Sequence, residues 1–219
     1  MKAIVRAREA EIDALREGAM SALASRRGTL EKRRMEACDH VWAQFGQLQR
    51  FIGLVTIISA INTDEVARRA RNDAAFRDKI RQLTSAFKEE EFYTVEGNSA
   101  RPYLSDLAWA IFDAYKTVVA FAFLQRQIFV NGMPGDLLNE NPLTRLLVAA
   151  LPDQAAEIER LGNLAGARFL PDLGNELLNE LKRILDGKAD DEAAMLHAAE
   201  LIKRSRAVQN AMSDARAQQ

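Results

Sequence analysis

The sequence predicts an all-α fold: a helical bundle of about six to seven helices, with a long N-terminal helix extending as an arm and a nearly all-apolar central helix over about 103–130. Three observations carry this. Ala and Leu, both good helix formers, supply 61 residues, whereas Val, Ile and Thr, which favour strands, supply 29. All five prolines lie at position 102 or later, so nothing in the first hundred residues forbids helix. Of the 219 residues, 48% are apolar and 28% charged, the composition of an ordinary globular chain. At this length folding buries roughly 70% of the unfolded surface, so neither a disulfide nor a metal is required.

Helix 1 is expected to run from the N-terminus to about Ile61. Placed 100° apart around an axis, Ile12, Leu15, Ala19, Leu23, Leu30, Val41, Leu48, Ile52 and Val55 fall within about 100° of arc and form one stripe. Ala19, Leu30, Val41 and Ile52 recur every eleven residues, a period that suits a straight or slightly right-handed packing partner. From Met35 a second stripe opens on the flank through Cys38, Trp42 and Phe45. The spacing therefore predicts an apolar face that is narrow before about residue 35 and broad after it. This divides the chain into a helical arm, residues 1–34, suited to coiled-coil or partner docking, and a bundle core, residues 35–219, ending in an amphipathic helix.

Asn62-Thr63-Asp64-Glu65 is a cap followed by carboxylates at a helix's positive end, so helix 2 is expected from about Asp64 to Phe87. Glu89 to Arg101 mixes an acidic run with Gly-Asn-Ser ahead of Pro102 and reads as a loop. Residues 103–130 carry only Asp106, Asp113, Lys116 and Arg126 as charges, which places that helix mid-bundle. Asn131-Gly132-Met133-Pro134-Gly135 stops it. Pro142, Pro152 and Pro171 each suit the first turn of a short helix. Asp186-Gly187-Lys188 then separates a last amphipathic helix over about Asp190–Ala215.

Function is far less legible. The net charge of −1 gives no global field for nucleic acid or an acidic membrane. The longest uncharged run, Phe51 to Thr63, is too short to span a bilayer, so no membrane insertion is expected. The lone Cys38 and a charged N-terminus with no signal-peptide core point to a reducing cytoplasm. Cys38 and His40 lie about 160° apart on a helix, so they share neither a proton nor a ligand sphere, and the reading is a core thiol beside a boundary histidine. Glu36 with His40, and His197 with Glu200, face together, yet the repeated Glu-x-x-His pattern of bundle metal sites is missing. No metal, no cofactor and no catalytic residue is therefore assigned, and an enzyme is not expected. Trp42 and Trp109 read as core anchors. Glu89–Glu91 with Arg101 reads as a local ion pair, and Arg68 to Arg81 as a solvated face.

The arm carries the candidate site. Arg26, Arg27, Arg33 and Arg34 flank the seam formed by Ile12, Leu15, Leu23 and Leu30, an arrangement in which arginine methylenes cover an apolar seam and the charges meet a partner's carboxylates. The leading reading is a non-catalytic helical scaffold or interaction subunit that self-associates, as a homo-oligomer, or docks a partner protein through this helix. The alternative is an all-helical nucleic-acid-binding accessory subunit of a larger complex, its arginine clusters on phosphates. A small-molecule sensor with a pocket beside Trp109 and Tyr103 is a third class.

Overall fold

The computed structural model describes residues 2–133, 142–187 and 192–217. Among them there is no strand and there are ten α-helices, more than expected from the sequence. These are α1 (Lys2–Gln49), α2 (Ile52–Ser59), α3 (Thr63–Asn72), α4 (Ala74–Leu83), α5 (Glu89–Tyr93), α6 (Asp106–Asn131), α7 (Pro142–Ala150), α8 (Ala155–Leu161), α9 (Ala165–Leu185) and α10 (Glu192–Ala217). Single 3-10 turns sit at Arg101–Tyr103, Pro152–Gln154 and Gly162–Leu164.

The extra helices arise from breaks that involve no proline. The expected single helix to Ile61 stops at Gln49, because Arg50 and Phe51 bond back only three residues, to the carbonyls of Gln47 and Leu48. The tightened turn drops Phe51 into the core, where its ring meets Phe123 edge-on at 5.2 Å and Phe92 at 6.1 Å. Ile52, the last residue of the eleven-residue pattern, thus begins α2 instead of prolonging α1. The expected helix 2 is likewise split at Asp73, which leaves the helical region (φ −127°, ψ 97°) and caps α4 by accepting a 2.8 Å bond from the Phe76 amide. The Ala70 carbonyl at the end of α3 is taken by Arg77, at 2.6 Å.

α6 is the expected apolar centre. Ser105 caps it through the Ala108 amide, and Gly132, at φ +70°, closes it with a Schellman pattern in which the Met133 amide bonds the Ile128 carbonyl at 2.9 Å. α2, α3, α4, α7 and α9 pack around it, and α10 lies along its length. It is the one helix among the described residues long and apolar enough to cross a membrane, and most of its apolar stretch is buried by these neighbours. Of the three prolines expected to open short helices, Pro142 and Pro152 do begin helical segments. Pro171 does not, since α9 starts at Ala165 and carries Pro171 in its second turn on an exposed side, where the carbonyl freed at half-buried Ala167 is tolerated. The segment read as loop, Glu89 to Arg101, contains the short helix α5.

Candidate partner-docking helix

One stripe of α1 has two fates. Ala37, Cys38, Val41, Phe45 and Leu48 are 0–4% exposed and pack on the body, where α9, α6 and the turn at Arg101–Tyr103 meet α1. α9 leaves no room for a side chain where it meets α1: one on Gly174 would come 2.6 Å from the Phe45 ring. Followed toward the N-terminus, the same 100°-spaced face continues through Leu30, Leu23 and Ala19. There the body borders only Leu30 and leaves Leu23 and Ala19 uncovered. Every described residue from Glu17 to Arg33 is exposed, with Leu30 at 44% and Leu23 at 54%.

This corrects the expected widening of the apolar face after residue 35. Met35 is 57% and Trp42 41% exposed, so the second flank is not enclosed and Trp42 is no core anchor. Trp42 instead lies stacked on Phe45, ring centres 5.0 Å apart, shielding that buried ring from outside. Cys38 and Phe45 join the first stripe. What changes near residue 35 is therefore what covers the seam, not how wide the seam is.

Of the residues assigned to docking, Leu23, Arg26 and Arg27 stand clear of the body, while exposed Arg33 borders a hollow beside Tyr103. Leu30 and half-buried Arg34 sit where the body ends, lining a cavity of about 100 Å³ with Tyr103, Leu104 and Ile184. α1 reaches back through Ile12 and Leu15, whose side chains lie outside the described residues. Arg26 and Arg33 fall on one side of the seam and Arg27 and Arg34 on the other. Intrahelical pairs hold part of this charge: Arg33 and Lys32 reach Glu36 at 3.4 and 3.9 Å, and Arg34 reaches Glu31 at 3.4 Å. Exposed pairs of this kind contribute only about 0.3–0.5 kcal/mol each and exchange readily for a partner's carboxylate.

Residues 94–103 clasp α1 at the point where it enters the body, through contacts the sequence reading missed. The Glu96 amide donates to Gln44 Oε1 at 3.0 Å, and His40 Nε2 lies 2.9 Å from the Glu96 carbonyl. Arg50 pairs with Glu91 at 3.0 Å, and Lys116 donates to the Val95 carbonyl at 2.7 Å. Arg101 does not pair with the acidic run as expected. Its guanidinium stacks over half-buried Trp109 at 5.4 Å, while Glu89 receives bonds from Tyr93 and Gln127. On the far side of α6, Ser205 of α10 joins Asp113 and Thr117 in a polar contact that fastens the two helices.

Burial, with Asp39 adding to it, pushes the Cys38 thiol up, away from the thiolate a nucleophile needs. Burial also pushes up the Tyr115 hydroxyl, set edge-on to Phe45 at 4.8 Å. His197 contacts the Ala149 carbonyl at 2.7 Å, and Glu200 is bonded to Arg204 at 2.6 Å. Among the described residues no three His, Cys, Asp or Glu side chains gather in a way that would hold a metal ion. The hollow beside Tyr103, Arg33, Glu36 and His40 holds about 170 Å³, less than the roughly 300 Å³ at which ordinary ligand pockets begin. A larger groove of about 480 Å³ between α7, α8 and α10 is lined by Arg145 and Arg204 with Glu159 and Glu200, a balanced set.

Comparison with known proteins returns no match: no family model fits the chain, and no curated protein and no solved structure is similar to it.

Proposed function

We propose that the protein is a non-catalytic helical interaction subunit whose residues 1–34 dock a partner chain, the remainder forming the body that holds this helix in place. One observation supports the reading above all. The apolar stripe that α9 and the Arg101–Tyr103 turn cover at Ala37–Leu48 runs on past Leu30, at the edge of the body, to Leu23 and Ala19, which are uncovered. A helix with an exposed apolar seam and a polar remainder gains most of its stability from a neighbour laid on that seam. The flanking arginines suit a neighbour with carboxylates at its edges.

The basic cluster Arg26, Arg27, Lys32, Arg33 and Arg34 alone would also suit nucleic acid, since its intrahelical pairs with Glu31 and Glu36 are exposed and exchangeable. The test is the full-length double variant Ala19→Asp, Leu23→Asp, both positions being exposed and clear of the body. The variant is expected to keep the melting temperature of the parent and to lose the parent's associated mass in sedimentation, together with any co-purifying chain. A variant that retains both contradicts the reading. Binding of the parent to nucleic acid with an affinity that falls about 10³-fold or more between low and moderate salt would favour phosphate contact instead.

A further inference from the structure

The exposed apolar residues on the outer side of α1, Met35 and Trp42, have counterparts on α9. His40 and Gln44 turn one flank of α1 to the segment around Glu96, while Phe45, over Gly174, turns the other flank to α9. Met35 and Trp42, seven residues apart, lie on this second flank, farther from the body than Phe45, and both are exposed. The facing flank of α9 carries Gly174 and, within about 40° of arc, half-buried Leu178 and exposed Leu185. The two helices run antiparallel, with Phe45 at Gly174 and with Leu30 and Arg34 beside Ile184 and Gly187. Trp42 is therefore level with Leu178, and Met35 with Leu185, so that four apolar side chains border one outer groove. Asp39 of α1 and Lys182 of α9 stand on its rims within a turn of the same level, both exposed and neither held in an ion pair among the described residues. We infer that this groove is covered by the same groove of a second copy of the chain, the two related by a two-fold axis running along the groove. The pair is a bundle of four helices in which the α1 of each copy lies on the α9 of the other. The inference goes beyond the docking reading and does not depend on it.

A rotation about that axis keeps every level along the helices. Trp42 of one copy therefore lies over Leu178 of the other, and Met35 over Leu185, apolar on apolar at both levels. The same rotation sets Asp39 of each copy beside Lys182 of the other, an attraction that occurs twice because the contact is isologous. The second two-fold open to a pair of such faces, centred on the same patch, runs across the helices. It lays α1 on α1 and sets Asp39 beside Asp39 and Lys182 beside Lys182, which repels. Tryptophan and methionine are enriched at protein interfaces, and tryptophan is a side chain on which binding energy concentrates. Each body lies beneath its own pair of helices, so the two bodies stay on opposite sides of the bundle and do not collide. The seam at Ala19 and Leu23 continues the face that α1 turns to its own body. It points away from the axis and stays open in the pair.

The experiment uses the full chain, carrying Ala19→Asp and Leu23→Asp so that the seam contributes nothing. Sedimentation of this chain should give two copies per particle at micromolar concentration. Adding Met35→Asp or Leu185→Asp, both at exposed positions, should leave single copies while the melting temperature in dilute solution stays that of the unpaired chain. Asp39→Lys should weaken the pair about fivefold or more, and Asp39→Lys combined with Lys182→Asp should restore it. Cys38 is buried, so a spin label attaches to Gln49→Cys alone. With the axis along the helices the two labels lie roughly 15 Å apart, and with the axis across them about 30 Å. Two copies, the short distance and rescue by the charge swap establish the arrangement. Single copies at micromolar concentration, a pair that survives Met35→Asp and Leu185→Asp, the long distance, or absence of rescue overturns it. The docking reading is judged separately, by the mass that the parent chain holds beyond this pair and loses with Ala19→Asp and Leu23→Asp.

Discussion

Phe112 and Trp109, three residues apart on α6, carry different weight. Phe112 is 1% exposed in the core, while Trp109 is half-buried at its edge under Arg101. Phe112→Ala should cost about 3–5 kcal/mol, the usual cost of emptying a buried aromatic site, and Trp109→Ala clearly less. Denaturant melts of both variants check this, and equal losses would show that Trp109 is as enclosed as Phe112. Gly174 on α9 is a sharper probe of the α1 contact. A methyl there would meet the Phe45 ring at 2.6 Å, so Gly174→Ala should cost about 1–3 kcal/mol by overpacking. The sequence marks Phe45 as apolar and Gly174 as a poor helix residue, but nothing in either says that they touch. The same holds for Trp42, whose helical spacing is that of a core anchor and whose stacking on Phe45 leaves it 41% exposed.

At the scale of elements, the helix ends with strong local signals were legible: Gly132 closes α6, and Gly187, at φ +72°, follows α9, whereas the cap at Ser105 went unread. The breaks at Phe51 and Asp73 were not. The first is made by tertiary packing of one aromatic ring, and the second by a cap inside a segment with otherwise good helix propensity. Pro171 misled in the opposite sense, because an exposed side of α9 tolerates it. The cap at Asp73 has a pH signature. The Phe76 amide, and after it Arg69, hold the Asp73 carboxyl below its ordinary value. A carboxyl lowered on folding stabilises the fold above the ordinary carboxylate range and loses that contribution as pH falls through its folded value. Asp73→Asn keeps an acceptor but does not titrate. The gap in melting temperature between parent and variant should therefore be widest at neutral pH and shrink toward about pH 3. A gap that is constant across this range contradicts the cap's charge-dependent role.

For the whole molecule, the all-α class, the buried central helix and the long N-terminal helix follow from composition, proline placement and one stripe, all of which are local properties of the chain. What covers that stripe is not local: α9 and the turn at Arg101–Tyr103, far along the sequence, reach Leu30 and Arg34 and stop. That boundary, read from sequence as a widening of the face, is the physical basis for treating residues 1–34 as a docking segment. The most direct test is the thermal unfolding of residues 35–219 beside the full chain, both dilute enough that association does not stabilise either. The account predicts a soluble helical body that melts cooperatively within about 4 °C of the full chain, the shift that roughly 1 kcal/mol produces at this size. Precipitation of the shortened chain, or loss of its cooperative transition, would show that residues 1–34 complete the core and would contradict the account.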